Sequence, residues 1–111
     1  MRVRADVRGT NLIYRDGTQA VEIWVDRQHR SLFFDDGRLR DGVELKIEDK
    51  LYMVGLLSTL QNDYVRIGAD LKDETGGYVR LVEVLSDLGY RKNEEIELNV
   101  VGGLVEIAKK R

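Results

Sequence analysis

The sequence predicts a β-rich α+β fold: a small barrel or sandwich of about eight strands with one amphipathic helix at about residues 79–88. Three observations predict it. Apolar and polar residues alternate with a period of two along most of the chain, which is the pattern of half-buried strands. This period changes to a helical one over 78–88. The segments 39–47 and 90–98 also align without a gap, and each leads through Gly or Asn into an alternating strand.

The first quarter of the chain predicts two strands. Val3, Ala5 and Val7 alternate with charged residues, and the polar segment 9–11 is expected to end this strand. The dipeptide Asp16-Gly17 is a hairpin signal. The return strand over 20–25 is expected to turn Val21, Ile23 and Val25 to one face and Glu22 and Trp24 to the other.

The middle of the chain predicts a connector and three further strands. We expect a polar connector over 26–30, an apolar run over 31–34, and a strand with Val43, Leu45 and Ile47 facing inward. The segment 51–60 is apolar on both faces, which predicts a central strand covered on both sides. A buried helix is the alternative, because short apolar runs are ambiguous by periodicity. A strand is preferred because a tight turn precedes the run and Asn62-Asp63 follows it.

The last part of the chain predicts a strand, the helix and a hairpin. Alternation over 64–71 gives the strand, and 72–77 is a loop. Gly89 falls where a helix places a left-handed residue. A Gly102-Gly103 turn joins strands over 96–100 and 104–108, and 109–111 is a solvated tail. The helical stripe consists of Tyr78, Leu81, Val82, Leu85 and Leu88.

The two aligned segments indicate an imperfect internal repeat of about 20–57 and 64–109 within a single domain, 1–111. Gly42 and Asn93 occupy the same position in the two copies, and these residue types tolerate a positive φ best. Both are therefore expected in left-handed turns that lead into a strand.

Composition restricts the classes of function. The chain has 111 residues, no cysteine and a net charge of −2, so disulfides, thiolate zinc sites and thiol chemistry are excluded. Six arginines and four acids lie in 1–30, seven bases and twelve acids in 31–90, and five bases and four acids in 91–111. Two basic ends therefore flank an acidic middle. No apolar run has the length of a membrane span, and the start lacks an apolar signal core; these features predict a cytoplasmic protein without a membrane partner.

Residues 78–110 carry a motif that resembles a known family. A helix ends in Leu88-Gly89-Tyr90, the charged turn 91–94 follows, and a Gly-Gly hairpin completes the unit. This order resembles the half-barrel of the AbrB family of transition-state regulators and of related cradle-loop barrels. The resemblance implies a DNA-binding regulator whose N-terminal half takes the place of a partner chain. The turn departs from the family pattern in having Asn93 instead of Gly and no proline, and 27–38 has no helical stripe.

A second resemblance concerns the rhythm of strands over 43–69, which is similar to that of Sm-like RNA-binding barrels. The turn 60–63 matches that family's RNA-contacting turn poorly, so no RNA site follows from it. Iron-transport accessory domains with an SH3-like fold also have a sequence pattern similar to that of residues 78–110.

The sequence nominates no catalytic, metal or cofactor site. His29 has neither a nucleophile nor an orienting partner nearby in the chain, and it is interpreted as a residue of the polar connector. Asp35-Asp36-Gly37, with Asp41 nearby, lacks the ligand spacing of a calcium loop and is interpreted as a turn. The two Gly-Gly pairs lack the context of phosphate loops. The protein is therefore predicted to be non-enzymatic.

Two surfaces are candidate binding sites. Arg2, Arg4 and Arg8 are expected on one face of the first strand, and a basic two-stranded ribbon can enter the major groove of DNA. Trp24 is expected beside Tyr14 and Arg15 near the first hairpin turn, where it could stack on a base or on a side chain of a partner.

We therefore predict a non-enzymatic nucleic-acid-binding regulator of transcription, which binds DNA or RNA and associates with itself as a homodimer. One alternative is a structural or protein-interaction module, such as an assembly or viral accessory protein, without a nucleic-acid role. Another is a barrel that binds a small ligand.

Overall fold

A computed structural model describes residues 1–59 and 64–111. Asn62-Asp63, expected to end the long apolar strand, and the turn compared with the Sm-like barrels lie outside these residues. The described residues form ten strands, one 3-10 helix (Arg27–Phe33) and one α-helix, α1 (Leu81–Leu88). The strands are β1 (Arg2–Ile13), β2 (Gln19–Val25), β3 (Phe34–Asp35), β4 (Arg38–Leu39), β5 (Gly42–Ile47), β6 (Lys50–Ser58), β7 (Val65–Lys72), β8 (Tyr78–Arg80), β9 (Glu95–Val101) and β10 (Leu104–Ile107).

Seven of these strands close into a barrel. Their order is β2-β1-β9-β10-β5-β6-β7, and β7 returns to pair with β2. Strand β8 extends the sheet beyond β7, and β3 and β4 form a separate small hairpin. The β10–β5 pair is parallel, and the neighbouring β9–β10 and β5–β6 pairs are antiparallel. The predicted β-rich α+β fold with about eight main strands and one α-helix is thereby confirmed.

The barrel interior is filled by the inward half of each alternating strand. Most of these side chains are aliphatic, and Phe33 joins them from the 3-10 helix. The helix contributes Leu81, Leu85 and Leu88 to the same core, because α1 packs against β2 and β7. The predicted inward faces of β1, β2, β5 and β9 are buried as expected.

The α-helix is two residues shorter at its start than predicted. Tyr78 belongs to β8, which pairs with β7, and its side chain is 78% exposed instead of forming part of the helical stripe. Gly89 ends the helix in the left-handed conformation, with φ of 94°, and its N–H donates to the carbonyls of Leu85 and Ser86. This confirms the predicted glycine terminator.

Two predicted boundaries in the first half are wrong. Strand β1 continues through Gly9 to Ile13, because the polar segment is accommodated by a register shift against β2. The predicted polar connector 26–30 lies mostly within the 3-10 helix, whose start is capped by the Asp26 carboxylate accepting from the Gln28 N–H. This short helix buries Phe33, which explains why the segment is ordered rather than a loop.

Strand β6 is covered on one face only, so the prediction of a strand buried on both sides is wrong. Tyr52 and Val54 face the core, whereas Leu51, Met53 and Leu57 are exposed. The run is apolar on both faces because its outer face is an apolar surface, and no second layer covers that surface within the described residues.

The two aligned turns use their Gly and Asn for different reasons. Asn93 has the expected positive φ of 72°, whereas Gly42 is not among the residues with positive φ. A Cβ atom at Gly42 would lie 2.5 Å from the Val54 carbonyl oxygen of the neighbouring strand. Gly42 therefore permits close approach of β5 and β6, which corrects the prediction of a left-handed turn there. The internal repeat itself stays a prediction.

Replacement of Gly42 by alanine should destabilise the barrel. We expect Gly42→Ala to lower the free energy of unfolding by about 1–3 kcal/mol, the usual cost of forcing extra volume against a packed backbone. Gly55, its register partner on β6, is the control, because a Cβ there would meet only the Asp41 oxygen at 3.9 Å. Urea unfolding at one protein concentration measures both. Equal stability of the two variants would contradict the close-approach explanation.

Candidate functional site

The arginines at the start of β1 lie on the outer wall of the barrel. Arg2 and Arg4 are directed away from the core, with side chains about four-fifths exposed. Arg2 lies 3.7 Å from Glu97 and Arg4 lies 4.0 Å from Glu95. Exposed pairs of this kind contribute about 0–1 kcal/mol, so both guanidinium groups stay available to another ligand.

Strand β1 is not part of a free two-stranded ribbon. It pairs with β2 on one side and with β9 on the other, so its arginines are presented on a curved sheet. This corrects the expectation that a projecting ribbon could insert into the major groove of DNA. Contact with nucleic acid at this strand would be made by side chains alone.

Arg8 and Trp24 form a cluster on the outside of the barrel. The Arg8 guanidinium lies 4.7 Å from the Trp24 ring centroid and 5.6 Å from that of Tyr64, and Asp6 lies 3.7 Å from Arg8. The Trp24 indole N–H donates to Glu22 at 3.1 Å. These contacts engage Trp24 within the protein and leave its ring half-buried.

Trp24 is far from Arg15, which corrects the predicted neighbourhood. Trp24 lies near the end of β2, whereas Arg15 lies in the exposed turn before that strand begins. Five residues of extended strand separate Trp24 from Gln19, a distance of roughly 17 Å. The structure therefore brings Arg8 and Trp24 together, keeps Arg2 and Arg4 on the same strand, and leaves Arg15 apart from all four.

The turn that contains Arg15 is held by its neighbours. The Tyr14 hydroxyl donates to Asp70 at 2.8 Å, and the Arg80 guanidinium stacks 3.9 Å from the Tyr14 ring centroid. Arg80 also donates to Asp16 at 2.7 Å. This network connects the first hairpin to β7 and β8 and is structural in character.

These contacts raise the pKa of Tyr14 and lower the pKa of Asp16. Partial burial and the hydrogen bond to Asp70 raise the pKa of Tyr14 to about 12. Hydrogen bonds from Thr18 and Arg80 lower the pKa of Asp16 to about 2. The stability that Tyr14 contributes is complete below its ordinary pKa of about 10 and is lost as the pH rises through 12. The contribution of Asp16 is complete above about pH 4 and is lost as the pH falls through about 2.

A polar groove on the surface brings Arg2, near the start of the chain, together with the basic segment 109–111. It has a volume of about 710 Å³ and contains five cations and three carboxylates among its lining residues. The cations are Arg2, Lys46, Lys109, Lys110 and Arg111, and the carboxylates are Glu48, Glu97 and Glu106. We call this the basic groove.

The sheet register explains the floor of the basic groove. Arg2 on β1 pairs with Asn99 on β9, Asn99 with Glu106 on β10, and Glu106 with Lys46 on β5. Four side chains from four adjacent strands therefore form one row across the outer surface. Residues that are far apart in sequence become neighbours because β9 and β10 lie between β1 and β5.

The segment after β10 forms one wall of the groove. The Tyr90 hydroxyl donates to the Ala108 carbonyl at 3.0 Å, and the Lys110 N–H donates to the Leu88 carbonyl at 2.8 Å. The Lys110 ammonium pairs with Glu94. This contact and a hydrogen bond from the Arg91 backbone N–H lower the pKa of the Glu94 carboxyl. The predicted solvated tail is therefore anchored along the barrel, with Lys109 and Arg111 lining the groove.

Sequence reasoning missed Lys46, Lys109 and Arg111 as site residues. The excess of bases at both ends was visible in the sequence, but only the strand order shows that the ends meet. None of the three forms an ion pair with a carboxylate of residues 1–59 and 64–111.

The other sequence features occupy ordinary structural positions. His29 lies in the 3-10 helix, and Asp36 and Gly37 form the turn between β3 and β4 with positive φ values of 52° and 76°. The described residues contain no group of three or more His, Asp or Glu side chains placed to hold a metal ion. Within the same residues, no helix has the length and apolar character needed to cross a membrane.

No protein-family model, curated protein or solved structure matches the chain. The resemblance of 78–110 to AbrB-like half-barrels therefore stays a prediction.

Removal of the Asp70 carboxylate should lower the pKa of Tyr14. We expect Asp70→Asn to move that pKa from about 12 towards its ordinary value, because the hydrogen bond to a carboxylate favours the neutral phenol. Ultraviolet titration of tyrosinate measures the shift, and Tyr14→Phe identifies the step that belongs to Tyr14. Asp87→Asn, at an exposed helical carboxylate, is the control. An alkaline titration that Asp70→Asn leaves unchanged would contradict this assignment.

Proposed function

We propose that the protein is a non-enzymatic nucleic-acid-binding protein, a regulator of transcription, that contacts phosphates through the basic groove. The observation that carries this proposal is the convergence of five cations from β1, β5 and the segment after β10 in one open groove. A chain with a net charge of −2 can attract a polyanion only if its cations are concentrated on one surface, and the groove supplies such a surface.

The ion pairing in the groove favours an external anion. Lys46, Lys109 and Arg111 form no ion pair within the described part of the chain, and the 3.7 Å contact between Arg2 and Glu97 is exposed. A phosphate can replace such a contact at small cost, because exposed pairs are weak. Arg4 is the next outward-facing residue after Arg2 on β1, and it extends the same cationic surface.

The row on the groove floor also supplies chemistry for reading bases. Asn99 and Glu106 lie between Arg2 and Lys46. An Asn side chain can form a pair of hydrogen bonds with adenine, and a Glu carboxylate can accept from the cytosine amino group. Cations at both ends of the row would hold the backbone, and the two central residues would contact base edges.

The remaining candidate residues receive different roles in this proposal. Arg8 and Trp24 bind each other, so their contribution is to the stability of the barrel wall. Arg15 lies in the turn at the far end of β1. Phosphate contacts are therefore assigned to Arg2 and Arg4 of β1 and to Lys46, Lys109 and Arg111 of the groove.

Neutralising three cations of the basic groove should weaken binding to nucleic acid. We expect the triple variant Lys46→Gln, Lys109→Gln, Arg111→Gln to reduce affinity for random duplex DNA at least about tenfold at 0.1 M salt. The salt slope should become shallower by about 0.9 for each phosphate that the protein no longer neutralises, because fewer counterions are then released on binding. Fluorescence anisotropy over a salt series measures both quantities, and single-stranded RNA is the parallel probe.

The matched control removes the same charge elsewhere. Arg27, Arg38 and Lys50 are exposed cations outside the groove, and their triple change to Gln should leave affinity and salt slope nearly unchanged. Equal effects of both triple variants would show a general charge effect and would overturn the groove assignment. Absence of any retention of wild-type protein on DNA or RNA at low salt would overturn the function itself.

A protein-interaction module is the second candidate function, and a different surface favours it. Leu51, Met53 and Leu57 are exposed side by side along the outer face of β6, and gathered apolar residues are typical of protein-interaction sites. Failure to bind nucleic acid, combined with a stable assembly in solution, would favour this alternative.

A further inference from the structure

An apolar surface lies on the opposite side of β5 from the basic groove. It consists of Leu51, Met53 and Leu57 on the outer face of β6, with Tyr78 at its edge on β8. Met53 is 52% exposed and Leu57 is 49% exposed. We call this surface the β6 face. Exposed apolar residues gathered on one strand indicate a surface that is covered in use.

The sheet register arranges the residues around Met53 in a regular order. Leu104 on β10 pairs with Glu44 on β5, Glu44 with Met53, Met53 with Lys72 on β7, and Lys72 with Tyr78. All five side chains are directed away from the core. The row is therefore apolar, acidic, apolar, basic and apolar, with Met53 at its centre.

This order is complementary to itself. A two-fold axis that runs along β6, between two facing copies, exchanges the two sides of the row. Glu44 of each copy then lies opposite Lys72 of the other, and the two Met53 side chains meet at the axis, whereas Leu104 lies further around the curved wall. An isologous contact of this type requires such self-complementarity.

Glu44 and Lys72 do not pair with each other within one chain. Two strand spacings separate them, a distance of roughly 10 Å, and no ion pair joins them in the described structure. Their charges are thus free to be matched by a second molecule. The length of both side chains lets them reach across the curved barrel wall on either side of the apolar centre.

Glycines beside Met53 lower the surface where a close approach is needed. Gly55 follows Met53 on the outer face of β6, Gly42 pairs with it on β5, and a Cβ at Gly68 of β7 would lie 3.4 Å from the Gly55 oxygen. Three adjacent strands therefore carry no side chain at this level. Under a two-fold axis along β6 this level of one copy lies opposite the same level of the other, so no side chain opposes close approach of the two walls there.

We infer that the β6 face binds a second copy of this chain and forms a two-fold symmetric dimer through the row centred on Met53. This inference does not depend on nucleic-acid binding, because none of the five residues of the row lines the basic groove. The dimer would bring together two basic grooves on one assembly.

The oligomeric state of the intact chain tests the apolar centre. Sedimentation velocity over a range of concentrations should show a dimer for the wild type. Met53→Asp should shift it to a monomer, because a desolvated unpaired charge at the axis opposes association. Leu12→Asp, at a residue of similar exposure on β1, is the control and should leave the dimer intact. A wild type that stays monomeric, or a dimer that Met53→Asp does not weaken, would overturn the inference.

A charge exchange tests the orientation of the two copies. Glu44→Lys and Lys72→Glu should each weaken self-association at least roughly tenfold, because each places like charges opposite one another. An equimolar mixture of the two variants should form a heterodimer, and the double variant should recover self-association. Far-ultraviolet circular dichroism confirms folding of each variant. A mixture that does not associate more strongly than either variant alone would exclude this two-fold arrangement.

Discussion

Pairing between β2 and β7 is the constraint on which the rest of the structure depends. Ile23 lies opposite Ile67 and Val25 opposite Val65 across this seam, and all four side chains are buried. Without the seam, the sheet would expose both edges and one complete apolar face to water. When the seam is closed, each strand of the barrel has one buried face and one outer face, and the core is enclosed without a second sheet.

Closure also determines the environment of Trp24. This residue lies opposite Arg66 across the seam, and the buried carboxylate of Glu22 accepts from both the indole N–H and the Arg66 guanidinium. Arg8 covers the ring from β1. An aromatic residue on the polar side of a strand is therefore part of a cluster that covers the seam from outside. Apart from Glu22, the partners of Trp24 lie on other strands, Arg8 on β1 and Arg66 on β7, so the residues next to Trp24 in the sequence gave no indication of the cluster.

The buried faces of single strands and the end of the helix were predictable from the sequence, whereas the contacts between distant strands were not. The alternation of β1, β5 and β9 identified their buried faces, and Gly89 marked the end of α1, because these features depend on residues close in the chain. The outer face of β6 was misread because Leu51, Met53 and Leu57 have the same apolar character as a buried face. The role of Gly42 was predicted wrongly because a side chain there would clash with the Val54 carbonyl. That carbonyl belongs to another strand, so the local sequence does not reveal the clash. The meeting of Arg2 with Lys109 and Arg111 required the strand order, which the alternation of single strands does not specify.

Strand β5 lies between two outer surfaces of opposite character. Its successive outward residues, Glu44 and Lys46, belong to different rows: Lys46 continues the polar row from Arg2 through Asn99 and Glu106, whereas Glu44 adjoins Met53 in the row of the β6 face. A barrel wall that turns continuously can place such surfaces side by side without an intervening loop. The net charge of the chain is thus a poor guide to what it binds. The distribution of charge is decided by register, since a shift of one residue in β5 would turn both side chains into the core.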